Sequence, residues 1–147
     1  MGERLRQVRY DENVALAHQD ARRIIYDPDK IFDGLTEVFC QHNIITLLQD
    51  GLELGKHHHP YKELFFTPTG EFDFRLIDLE DFETRRYILK AGDRILIPEG
   101  IGHIVTGKTN NVLIGYGNVR FEQNKLIPCS EGALEVLARM RNSPQNL

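Results

Sequence analysis

Three imidazoles and one carboxylate carry the chemistry that this 147-residue chain can offer. His57, His59 and Glu63 lie in GLELGKHHHPYKELFFTPTG, between Gly51 and Gly70, and His103 ends GDRILIPEGIGH, which starts at Gly92. Imidazole nitrogen and carboxylate oxygen suit one divalent transition metal, Fe, Mn, Zn, Ni or Cu. The lack of thiolate argues against a structural, Cys-rich zinc site. Side chains alternate along a strand, so residues 57, 59, 61, 63 and 65 share one face. On a helix, positions 57 and 59 would diverge by about 200°. The spacing therefore predicts strand geometry and a metal held by His57, His59, Glu63 and His103. Four protein ligands on an octahedral ion leave two positions for water, oxygen or substrate, which marks chemistry or ligand capture. His58, between two inward ligands, is expected to point the other way. The flanking Gly55-Lys56 and Pro60-Tyr61 make HHH a poor match to a tag remnant.

These residues resemble the two signature motifs of the cupin superfamily. The first is G, five residues, H-x-H, three or four residues, E, six residues, G; here it is Gly51, His57, His59, Glu63 and Gly70. The second is G, five residues, P-x-G, two residues, H, three residues, N; here it is Gly92, Pro98, Gly100 and His103, with Gly107 where the family has Asn. That departure concerns loop geometry more than metal binding. The resemblance implies a jelly-roll β-barrel and a metal site at the four named residues. It also implies pairing into a homodimer, with the residues before the barrel available to extend an exposed sheet edge. Cupins include dioxygenases, isomerases, epimerases, decarboxylases, lyases and non-enzymatic binders, so the fold alone names no reaction. The run from Lys62 to His103 is further similar to small cupin domains found with sugar-nucleotide and polysaccharide biosynthesis enzymes.

Other residues are candidates for roles around the ion. Glu63 can serve as ligand and proton acceptor in turn. Tyr61 shares its parity and is expected to line the cavity. Tyr116, between Gly115 and Gly117, is a candidate proton donor. Along 71–79, Phe72, Phe74 and Leu76 alternate with Asp73, Arg75 and Ile77, and periodicity does not say which face is inside. If it is the Arg75 face, the cavity holds a cation that grips a carboxylate or phosphate. His42 is a weaker candidate acid or base, and His18 is expected on the surface.

Residues 35–120 read as short strands separated by turn signals. The runs 36–48, 63–67, 71–79, 85–89, 94–97, 104–106 and 112–121 alternate with Asp50-Gly51, Pro68-Thr69-Gly70, Ala91-Gly92-Asp93 and Lys108-Thr109-Asn110-Asn111. That spacing indicates an all-β sandwich or barrel. Residues 22–26 read as a further strand, and 12–21 are ambiguous. Ser130 can cap a helix over 130–141, whose Ala133, Leu134, Leu137 and Met140 form one face for packing outside the barrel. The tail from Asn142 is expected to fray. The expected organisation is an N-terminal strand region over 1–34, a barrel over 35–128, and a C-terminal helix and tail over 129–147, in one domain.

A net charge of −4 argues against nucleic acid as a partner. No apolar run approaches the ~18 residues that span a bilayer, and the first residues have no apolar core of a secretory signal. Cys40 and Cys129 lack C-x-x-C spacing and read as two free thiols of a cytoplasmic protein, although spacing does not exclude a disulfide. The expected activity is that of a small metal-dependent cupin, an isomerase- or epimerase-type enzyme acting on a sugar or another oxygen-rich small metabolite. An iron-dependent dioxygenase and a non-catalytic small-molecule binder are the alternatives.

Overall fold

Turn residues cut the chain into strands that segregate into two sheets. The computed structural model describes residues 3–119 and 126–140. A short helix α1 (Glu3–Arg6) leads into β1 (Arg9–Asp11), β2 (Leu16–Gln19) and β3 (Ile24–Tyr26), then a 3-10 turn at Pro28–Phe32. The main strands follow: β4 (Gln41–Thr46), β5 (Glu53–His58), β6 (Glu63–Thr69), β7 (Glu71–Asp78), β8 (Thr84–Lys90), β9 (Arg94–Ile97), β10 (Ile101–Gly107) and β11 (Val112–Gly117). The two-residue β12 (Ile127–Pro128) and helix α2 (Glu131–Arg139) complete the described chain.

One sheet has the order β1-β9-β6-β11-β4, the other β12-β5-β10-β7-β8, with antiparallel pairing throughout both. This is the expected jelly roll. Gly70, at φ +80°, sits where the chain leaves β6 in one sheet and enters β7 in the other, a conformation that costs glycine little. Between the sheets, Phe65, Ile95, Ile97 and Leu113 meet Phe72, Phe74, Leu76, Leu89 and Val105 in one core. The inner face of β7 is therefore the Phe72–Phe74–Leu76 face.

Each outer face has its own cover. Leu64, Phe66, Leu96 and Tyr116 pack beneath Val14, Tyr26, Phe32 and Phe39 of the N-terminal segment. On the other sheet, Ile77 and Ile104 pack against Ala133, Leu137 and Met140, so α2 buries its apolar stripe outside the barrel as its period predicts. Ser130 Oγ accepts a hydrogen bond from Ala133 N at 3.2 Å and caps this helix.

Several elements differ from expectation. The run 36–48 forms a strand only over Gln41–Thr46, where β11 supplies partners; the ambiguous segment 12–21 contains β2. The strand expected over 112–121 ends at Gly117, and positions 120 and 121 lie outside the described residues, as do Arg141 and the tail from Asn142. Cys40 is exposed and Cys129 buried, and both are free thiols. No described helix is long and apolar enough to cross a membrane.

Candidate metal centre

The register of β5 against β10 builds the centre. His103 pairs with His57 and Ile104 with Gly55, which leaves Lys56 as the extra residue of a β-bulge. Because of that insertion, Leu54 and His57 both belong to the cavity wall although they are three positions apart. The bulge needs Gly55: its φ is +95°, and a Cβ there would stand 2.5 Å from the carbonyl oxygen of His103. His59 and Tyr61 follow in the turn between β5 and β6, and Glu63 opens β6 in the opposite sheet. The four residues thus come from both sheets. The shared face over 57–65 holds across two strands and a turn rather than one continuous strand.

One ligand nitrogen from each of His57, His59 and His103 lies within 4.8 Å of the others. Glu63 Oε1 is 3.2 Å from His59 Nε2 and 3.8 Å from His103 Nε2. The Tyr61 ring lies 4.6 Å from that of His59 at an interplanar angle of 32°. Burial sets the electrostatics. It pushes the Glu63 carboxyl up to about 8. Burial first, then the neighbouring His57 and His59, push His103 down to about 3. His57 is lowered too, again chiefly by burial. Tyr61 rises to about 12 through burial and the Glu63 charge. Without metal, His57 and His103 are therefore held as neutral imidazoles that present lone pairs, while Glu63 holds a proton that it can donate to an imidazole nitrogen.

The centre borders a cavity of about 120 Å³ between the sheets, walled by Ile45, Leu54, Phe65, Val105 and Leu113, with Gln41, Asn43, Tyr61 and Glu63 as polar groups. A larger depression of about 490 Å³ lies over the turns around Asp50, Gly70 and Lys108, and no imidazole lines it. Convergent ligands, not size, identify the smaller cavity as the candidate site.

Not every residue singled out by sequence joins this cluster. Arg75 lies on the outer face of β7, fully buried beneath α2, where its Nη1 donates to the Leu137 carbonyl at 2.9 Å and its Nη2 to Glu53 at 2.5 Å. It grips the protein rather than a ligand in the cavity, because the apolar alternate positions of β7 take the interior. Tyr116 borders the cavity, but its ring packs among Phe32, Phe39 and His42 at centroid distances of 5.0–6.2 Å, within the outer apolar cluster. A proton-donor role at the ion does not suit that packing. His42 is exposed on the same outer side. His58 pairs with Ile127 and stands outside the imidazole cluster, and His18 is exposed and bonded to Asp20 at 2.8 Å. Gln41 went unremarked in the sequence. The alternation of Gln41, Asn43 and Ile45 with His42 and Ile44 carried the signal.

Residues 43–114 match the family model described as a cupin domain. Solved structures share the fold. A sugar 3,4-ketoisomerase of Thermoanaerobacterium thermosaccharolyticum, solved with TDP, aligns at a TM-score of 0.69 and 13% identity over 93% of this chain and 98% of its own. A 3,4-ketoisomerase of Helicobacter canadensis gives 0.68 and 12%, over 90% and 98%. A dTDP-4-dehydrorhamnose 3,5-epimerase of Bacillus anthracis, with TDP and pyrophosphate bound, gives 0.65 and 18%, over 81% and 77%. No curated protein sequence matches the chain.

Proposed function

The chain belongs to the cupin superfamily, and from that premise we propose that it is a metal-dependent enzyme of the isomerase or epimerase type, acting on a sugar or another oxygen-rich small metabolite. The observation that carries this reading is the convergence of His57, His59 and His103 within 4.8 Å, with Glu63 against two of them, at the edge of an internal cavity. The donor set fits a divalent transition ion: burial disfavours the charged forms of His57 and His103, and among the described residues no cationic side chain lines the cavity to compete. Bound there, such an ion would polarise a carbonyl or chelate adjacent oxygens and so acidify a neighbouring C–H.

The protein's own residues supply the rest. In the metal-free site burial pushes the Glu63 carboxyl up to about 8. Beside a bound ion it would be ionised, and its free oxygen is the candidate to take and return the proton that isomerisation or epimerisation next to a carbonyl requires. Tyr61 stays protonated at about 12 and can hydrogen-bond a substrate oxygen. The apolar walls lower the local dielectric and so strengthen these interactions. The sugar epimerase and ketoisomerases of similar fold support the choice of reaction class.

The test is elemental analysis of protein purified without added metal, with mass spectrometry of any co-purified small molecule. One divalent transition metal per chain is expected, lost in the His57→Ala/His103→Ala double variant. A folded double variant with full metal content would sink the assignment.

A further inference from the structure

The inner face of β11 is bare beyond Leu113. Its next inward positions are Gly115 and Gly117, both lining the cavity. Neither has the left-handed backbone that would demand glycine. Space explains them. A Cβ on Gly115 would stand 3.1 Å from the Phe65 ring, and one on Gly117 3.3 Å from the Tyr61 ring. Gly117 pairs with Gln41 on one side and Glu63 on the other. Gln41 and Glu63 thus flank a strand whose inward face carries no side chain at Gly115 and Gly117, roughly 10 Å apart at two strand spacings.

Gln41 is only 8% exposed, and its buried Oε1 has no hydrogen-bond partner among the described residues. A buried acceptor left unpaired is costly, and this one lines the cavity. The cavity measures about 120 Å³, which suits a short molecule or one end of a longer one.

We infer that Gln41 is a specificity-determining residue. Its Oε1 accepts a hydrogen bond from the terminal hydroxyl of a three- or four-carbon hydroxy acid lying on the Gly115–Gly117 floor, whose chelating oxygens face His57, His59, His103 and Glu63. This deepens the proposed function and rests on it.

Glycerate and lactate make a matched pair of probes, since both carry a carboxylate and a 2-hydroxyl and only glycerate has the further hydroxyl. Calorimetric titration of the metal-containing protein is expected to show glycerate binding about tenfold tighter than lactate. Gln41→Leu should bring glycerate down to the lactate level and leave lactate unchanged, with metal content unaltered. Gly117→Ala should weaken both probes. Equal affinities in the native chain, a preference that survives in Gln41→Leu, or no binding of either probe by metal-loaded protein each overturns the inference. The native comparison needs no variant to fold. Elemental analysis of the same samples keeps the two readings apart: full metal with no preference removes the role of Gln41 alone, whereas protein lacking metal removes the metal-dependent reading.

Discussion

Glu63→Gln, in protein stripped of metal by a chelator, should change how stability depends on pH. Burial raises the Glu63 carboxyl from 4.5 to about 8 in the folded chain. In the unfolded chain it returns to the ordinary range, ~4.3. Between those values the folded state keeps a proton that the unfolded state gives up. The stability tied to that proton is whole below pH ~4.3 and drains away as pH rises toward 8. At ~1.4 kcal/mol per pH unit the loss reaches about 4–5 kcal/mol, and the 17% exposure of the side chain brings the expected value to about 3–4 kcal/mol. The glutamine variant has no such proton to lose. His103, lowered to about 3, contributes in the opposite direction between roughly 3 and 6.5, but it does so in both proteins and cancels in the comparison. Urea denaturation at pH 5, 6.5 and 8 measures the difference. The native chain should lose about 2–3 kcal/mol more than the variant over that window, which covers part of the full range. Parallel profiles would refute a buried, proton-holding Glu63. Metal selects the ionised carboxylate, so metal affinity should rise with pH over the same interval.

Arg75→Met should lower stability by about 2–3 kcal/mol through the lost bonds to Leu137 and Glu53. At ~2–4 °C per kcal/mol, the melting midpoint falls by roughly 5–10 °C with metal content intact; metal loss without a change in melting would restore Arg75 to the cavity. Gly55→Ala places a Cβ 2.5 Å from the His103 carbonyl, so the backbone must shift; both a lower melting midpoint and reduced metal content are expected, read by thermal denaturation and elemental analysis. The chain should form a homodimer of twice its 17.0 kDa, since β4 ends its sheet and leaves Ile44 77% exposed. Light scattering at micromolar concentration giving the monomer mass would contradict this.

Much of this architecture was legible because its signals are local. The Gly and Pro turns delimit most barrel strands, and Ser130 with the Ala133–Leu137–Met140 stripe announces α2. Ligand type, interval and the cupin motifs singled out His57, His59, Glu63 and His103, and the fold brings these four side chains together. The two failures share a cause. Arg75 and Tyr116 lie on strands that are covered on both faces, so alternation does not tell cavity from outer cover. That distinction depends on where α2 and the N-terminal segment dock, and docking is non-local. The strand β12 and helix α1 are too short for any period to register. Alternation puts Gln41 on one face with Asn43 and Ile45, but which face is inside, and that Gly117 leaves room beside the amide, depends on the neighbouring strand.

The extra residue at Lys56 has an engineering consequence. Elsewhere in β5, losing one residue would turn every later side chain over, sending the ligands into solvent. At Lys56, whose φ is +62°, removal would instead leave Gly55 opposite Ile104 and His57 opposite His103. Strand length and reading frame are thus decoupled at this single point. A library of one-residue deletions across 52–58 should show one tolerated gap.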